Sequence, residues 1–200
     1  MNERTRQVSL LGRWASSLEH WALSLGLCAL AGVLSSACLV STFHPLYDEA
    51  SIAFEPALIG TWENRDSQVT VVVERGDWRS YRIDYTERTT TTRFTAFLTE
   101  VGGARFLSVR PEDGIERPAF LVATHGPLQI TLTGDEVRVR ELDYDEVLRR
   151  LNARTLGVAA AKDLKQNVVM TTETPALRKW LATAVRDERL FADWKTLSRK

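Results

Sequence analysis

Cysteine is almost absent. Cys28 and Cys38 are the only two in 200 residues, and both lie near the start. No disulfide framework can therefore crosslink the rest of the chain, and a hydrophobic core must hold it. Histidine is nearly as scarce. His20, His44 and His125 are the full set, and no two stand at metal-ligand spacing, which leaves no zinc site to expect. Neither basic nor acidic charge is in excess: lysine plus arginine number 26, as do aspartate plus glutamate. A dedicated nucleic-acid binder needs a basic surplus to displace phosphate counterions, so nucleic acid is not an expected partner. No Gly-rich phosphate loop follows a strand, since Gly102-Gly103 has the form of a hairpin turn. No nucleophile elbow surrounds Ser108 or any other serine. His125 sits in a Gly-Pro turn and reads as a backbone-bonding turn residue. The acids Asp143, Asp145 and Glu146 could suggest hydrolysis or calcium binding. All three fall in the first turn of a helix, where carboxylates cap free amides and favour the helix dipole. These absences point away from an enzyme and away from a cofactor. What is present is ordinary globular composition, 44% hydrophobic and 26% charged.

The N-terminus is patterned as an export signal. Arg4, Arg6 and Arg13 precede a stretch from Trp21 to Tyr47 without Asp, Glu, Lys or Arg. The apolar run Trp21–Leu34 leads into Ser35-Ser36-Ala37 and then Cys38. A basic region, an apolar region and small residues make a secretory signal. Three readings are open: acylation of Cys38 after cleavage, an uncleaved anchor over Trp21–Val40, or cleavage near Ala37 with a soluble product. All three export the domain. Residues 1–37 are thus read as signal peptide or membrane anchor, with Cys38 as the candidate lipid-attachment site. The leader removes three basic and two acidic side chains, leaving 23 and 24. A net charge of −1 supplies no long-range steering.

Residues 38–53 read as a tether, or as a loop wrapped on the domain. Residues 54–200 read as the domain itself. Pro56 opens a short helical turn. From Thr61 to Leu142 the hydrophobic period is two: Val69, Val71 and Val73; Tyr81, Ile83 and Tyr85; Phe94, Ala96 and Leu98; Ile130 and Leu132; Val137 and Val139. Turn signals such as Arg75-Gly76-Asp77, Gly102-Gly103 and Gly134-Asp135 separate the runs. This pattern predicts an antiparallel meander of about eight strands, as a barrel or a folded sandwich. Beyond it, Asp143 to Glu146 form a capping box with Leu142 and Val147 placed as a hydrophobic staple. Tyr144, Val147, Leu148 and Leu151 share a helical face. A second helix is expected from Thr174 as N-cap, with Leu177, Trp180, Leu181, Ala184 and Val185 on one stripe. A bend past Asp187 and a short amphipathic end complete the chain, and Val168–Met170 reads as a short strand beside the sheet.

Leu58-Ile59-Gly60-Thr61-Trp62 resembles the Gly-x-Trp signature that opens lipocalin-like barrels, and Cys38 behind its small residues resembles the lipobox of bacterial lipoproteins. Together with Phe106-Leu107-Ser108-Val109-Arg110-Pro111 and Thr172-Glu173-Thr174-Pro175, the chain is similar over residues 45–191 to a group of lipocalin-like bacterial lipoproteins of unknown function. The resemblance implies an exported, mainly β protein: a lipocalin-like antiparallel barrel, preceded by a signal or anchor helix, with C-terminal helices outside the wall. It implies that a cation from the last strand stacks on Trp62, a role that falls to Arg138 or Arg140. It also implies a cell-envelope address, facing the periplasm or exterior, with the membrane as partner through acylated Cys38.

The aromatic residues decide between two functional readings. If the barrel is open at one end, Trp62, Tyr81, Tyr85 and Phe94, with Arg138 and Arg140, are the candidate ligand-binding residues for a small hydrophobic molecule. If it is filled, they are core. In that case the lipoprotein would be structural, binding an envelope protein through a sheet edge or its C-terminal helices.

Overall fold

The computed structural model describes residues 39–112 and 123–200. The expected signal or anchor helix and Cys38 lie outside the described residues. The described chain forms β1 (Val40–Thr42), β2 (Ile52–Ala53), β3 (Gly60–Asn64), β4 (Val69–Arg75), β5 (Ser80–Glu87), β6 (Thr90–Val101), β7 (Ala104–Pro111), β8 (Gly126–Thr133) and β9 (Glu136–Arg140). Then come α1 (Tyr144–Asn152), β10 (Ala160–Lys162), β11 (Val168–Met170), α2 (Thr174–Ala184) and β12 (Lys195–Arg199).

Alternation drives closure. On β4 the residues Val69, Val71 and Val73 face one side, and on β5 Tyr81, Ile83 and Tyr85 face the same side across the ladder. Continued around the sheet, this buries one face on itself. Eight strands, β3 to β9 and β12, make a closed antiparallel barrel. The ring is sealed twice: β6 pairs with β7, and β12 lies between β9 and β3. Of the expected run of about eight strands before Leu142, seven are barrel strands, and the eighth is β12. The C-terminal amphipathic end expected after Asp187 is therefore corrected. It is a 3-10 turn, Glu188–Leu190, followed by a strand. Leu197 is the one apolar residue β12 turns into the barrel core.

A second core lies outside the wall. Phe106 on the outer face of β7 packs with Leu142, Val147, Val168, Met170, Leu177, Leu181 and Phe191. This cluster mounts both helices on the barrel. A three-stranded sheet, β1-β11-β10, contributes to it, with β1 parallel to β11. Val168–Met170 is thus a strand, a member of this small sheet packed against the outside of the barrel wall. The wrapped alternative for residues 39–53 describes their placement, and a free tether does not. Thr42, Leu46 and Ile52 are buried, and β2 extends the edge of β6 where β5 has ended. Isolated apolar side chains in that stretch find partners on the domain.

The helix caps are local. The Glu146 amide donates to the Asp143 carboxylate at 2.8 Å, while Leu142 and Val147 are both buried. The reciprocal half of the capping box is replaced. The Asp143 amide donates to the Leu190 carbonyl at 2.9 Å, and Glu146 bonds Arg149 and Arg150 instead, which holds its carboxyl down at about 2. For α2 the expected N-cap is corrected by one residue. Glu173 is the cap position, and the Thr174 hydroxyl donates to the Pro45 carbonyl at 2.8 Å. The helix sits on the β6–β7 hairpin at Gly102, where a Cβ would meet the Ala182 Cα at 2.8 Å.

Candidate functional site

The barrel is stoppered at one end. Trp62 is 1% exposed, and its indole N–H donates to the Leu58 carbonyl at 2.9 Å, which ties it to the 3-10 turn Pro56–Leu58. The Arg199 guanidinium stacks on the indole with its carbon 4.1 Å from the ring centroid. It also donates to the carbonyls of Ile59 (3.1 Å) and Ala57 (2.7 Å). Tyr81, fully buried, completes the floor. Its hydroxyl accepts from the Glu55 amide at 2.6 Å, and Phe54 stacks on its ring at 5.1 Å. Burial raises the Tyr81 phenol above its ordinary range.

Gly60 is where this stopper demands glycine. Its φ is +147°, and a Cβ there would stand 2.4 Å from an Arg199 guanidinium nitrogen. Gly60→Ala is expected to destabilise the fold by about 1–3 kcal/mol from backbone strain alone. Removing the clashing group with Arg199→Ala should recover part of any further loss. Thermal unfolding of the two single variants and the double variant measures this, and strict additivity would show that the two positions do not meet.

Above the floor the barrel is hollow. A cavity of about 670 Å³ is walled by Val69, Val71, Ile83, Phe94, Leu107, Val109, Leu128 and Val139. Tyr85 stands in the same wall, with its hydroxyl 3.4 Å from the Glu87 carboxylate and its phenol raised chiefly by burial. Polar groups gather at the mouth: Asn64, Ser67, Ser41, and Lys195, which pairs with Glu141 at 3.2 Å. The burial pattern of the wall is inverted. On β7 the outward Phe106 and Ser108 are fully buried, while the inward Leu107 and Val109 are only partly so. On β8 the outward Gln129 is buried, and the inward Leu128 is not. The second core covers the outside of this wall, and the inside faces empty space.

The residues read from the sequence divide accordingly. Trp62 and Tyr81 form the floor, and Tyr85 and Phe94 the wall. Arg138 belongs to neither, and Arg140 lines the cavity at the mouth end of β9 while its guanidinium is engaged elsewhere. Val137 and Val139 face inward, so strand parity turns both arginines outward. There their guanidinium carbons lie 5.0 and 4.3 Å from the Trp194 ring centroid. Arg140 also donates to Gln129 at 2.8 Å and pairs with Glu188. The cation on Trp62 is therefore Arg199 and not Arg138 or Arg140, because the last barrel strand is β12. Sequence reasoning missed one polar pair. The Ser108 hydroxyl lies 3.3 Å from His125 Nδ1. Both residues are buried beneath β1, whose Thr42 exchanges two backbone hydrogen bonds of 2.8 Å with His125. Burial, with Arg110 and His44 nearby, lowers the His125 imidazole to about 4.

Among the described residues, no group of three His, Cys, Asp or Glu could hold a metal ion, and no helix is long and apolar enough to cross a membrane. Comparison with protein families, curated proteins and solved structures finds no match to this chain.

Proposed function

We propose that this is an exported, membrane-tethered lipoprotein whose lipocalin-like barrel binds a small hydrophobic molecule. The inverted burial of β7 and of the start of β8 carries the reading. Natural barrels of this size are ordinarily filled by side chains. Here inward leucines and valines stay only partly covered around a volume within the usual range for ligand sites. The floor and most of the wall are apolar, and the charged and polar lining residues, Arg140, Glu141, Lys195, Asn64, Ser67 and Ser41, stand toward the mouth. That arrangement suits a molecule with an apolar body and a polar end. Export and acylation at Cys38 rest on the N-terminal pattern. Incorporation of labelled palmitate by the native chain, and its loss in Cys38→Ser, tests them separately.

Filling the cavity tests the binding. Leu128→Trp adds volume where there is room and is expected to abolish binding of a hydrophobic fluorescent dye with little change in the thermal midpoint. Ile130→Trp, at a neighbouring inward position that is 3% exposed, should instead destabilise by about 1–3 kcal/mol through overpacking. Dye titration and thermal melts of both variants provide the check. Undiminished dye binding in Leu128→Trp would rule the cavity out as the binding site. Native mass spectrometry after mild extraction should also find a co-purifying small molecule.

The alternative, a structural lipoprotein that docks an envelope protein by a sheet edge or residues 174–200, has less to draw on. Among the described residues the barrel ring is closed, and the apolar residues of α2 are committed to the second core.

A further inference from the structure

Leu164 is the most exposed large apolar residue among those described, at 102% of its reference area. It tips the turn between β10 and β11, and that turn is tightly made. One Asp163 carboxylate oxygen accepts from the amides of Lys165 and Asn167 at 2.8 Å each, and the other from the Asn167 side chain at 2.8 Å. From α1, the Tyr144 hydroxyl donates to the Gln166 carbonyl at 2.8 Å. The backbone thus fixes Leu164 in the outward position, where water is an unfavourable neighbour.

The same turn receives the incoming chain. The Leu39 amide donates to the Asn167 side-chain oxygen at 3.0 Å, and the Val168 amide donates to the Leu39 carbonyl at 2.9 Å. Leu39 is itself 51% exposed, and with Val40 and Ser41 it lines the cavity mouth. Lys162 and Lys165 flank Leu164, both exposed. The acid between them, Asp163, has both carboxylate oxygens occupied inside the turn. Apolar side chains projecting between lysines are the pattern of an interfacial membrane contact, in which leucine enters the acyl boundary and lysines meet anionic headgroups. The point of chain entry favours a bilayer over a protein as the partner: the described chain begins at Leu39, bonded to this turn, and the export pattern directly precedes it in sequence.

We infer that this end of the domain rests on an anionic bilayer surface, with Leu164 and Leu39 in the interface and Lys162 and Lys165 on the headgroups, so that the cavity mouth opens at the membrane. The inference requires neither acylation of Cys38 nor any particular guest in the barrel. It adds to the proposed function a route by which a membrane lipid would enter the cavity without crossing water.

The test uses the full-length chain carrying Cys28→Ser, Cys38→Ser and Leu164→Cys, labelled at position 164 with an environment-sensitive fluorophore. It is reconstituted in vesicles of phosphatidylcholine mixed with phosphatidylglycerol, containing a spin-labelled lipid with a shallow quencher. The comparison label is at Trp78→Cys in the same serine background. That position is 56% exposed and lies on the β4–β5 turn at the stoppered end. The label at 164 should be blue-shifted and severalfold more strongly quenched than the label at 78. Lys162→Glu with Lys165→Glu should erase that difference. Equal quenching at the two sites, stronger quenching at 78, or the same quenching at 164 in phosphatidylcholine alone would overturn the inference.

Discussion

Trp62→Ala is expected to lower the unfolding free energy by about 3–5 kcal/mol, the usual cost of truncating a large buried aromatic. Three losses coincide at this position. A side chain that is 1% exposed leaves a void. The Leu58 carbonyl loses its donor at 2.9 Å. The Arg199 guanidinium loses the ring it lies on at 4.1 Å, while keeping its bonds to Ala57 and Ile59. Trp62→Phe separates these contributions. It keeps a ring for Arg199 and removes the indole N–H, so its cost should be nearer the ~1–3 kcal/mol of an unsatisfied buried group. Urea denaturation of both variants gives the values. A loss below about 1 kcal/mol in Trp62→Ala would mean that the stopper does not hold the barrel shut.

Acid should weaken the protein through His125. The imidazole has an ordinary value of 6.5 and is lowered to about 4 in the fold. Between those limits the unfolded chain binds a proton that the folded chain refuses, so stability falls as pH falls. It is complete above about 6.5, and the loss is complete below about 4. The shift corresponds to an upper bound of about 3 kcal/mol. The groups around the ring, Arg110 and His44, oppose its protonation, and Ser108 is its side-chain hydrogen-bond partner. Glu146, held at about 2 by its arginines against an ordinary 4.5, adds its own loss of stability only toward the lower end of this window and below it. His125→Gln keeps a polar partner for Ser108 and cannot protonate. Its urea midpoint should therefore fall much less than that of the native chain between pH 7 and pH 4. Parallel curves for the two proteins would assign the acid sensitivity elsewhere.

The barrel was legible because its strands alternate. Val69, Val71 and Val73, or Phe94, Ala96 and Leu98, can bury one face only as strands, and five of the eight staves come from such runs. Gly60 and Trp62 were legible for the same local reason: a strained turn and a plug share one Gly-x-Trp segment. What was illegible depends on distant partners. Lys195-Thr196-Leu197-Ser198-Arg199 has a single inward apolar residue, and its strand character comes from β3 and β9 on either side. Misplacing the last stave also misplaced the stacking cation, although the parity of Val137 and Val139 already turned Arg138 and Arg140 outward. Ser108 and His125 lie in separate segments with nothing in either to mark the other. The hollow itself was beyond reach, since inward alternation is the same whether a barrel is packed or empty. Only the buried outer residues Phe106, Ser108 and Gln129 reveal that the wall is dry on its far side.

The position of β12 sets the order of events during synthesis. Residues 141–194 separate it from its neighbour β9, and the contact of Arg199 with Ala57 spans 142 positions. A nascent chain that has reached only β9 carries two unpaired rims, β3 and β9, and no lid for Trp62. Such a chain is slow to close because its decisive contacts are so far apart. Until Arg199 emerges from the ribosome, the seven staves remain a curled, sticky sheet that needs shielding from its own kind.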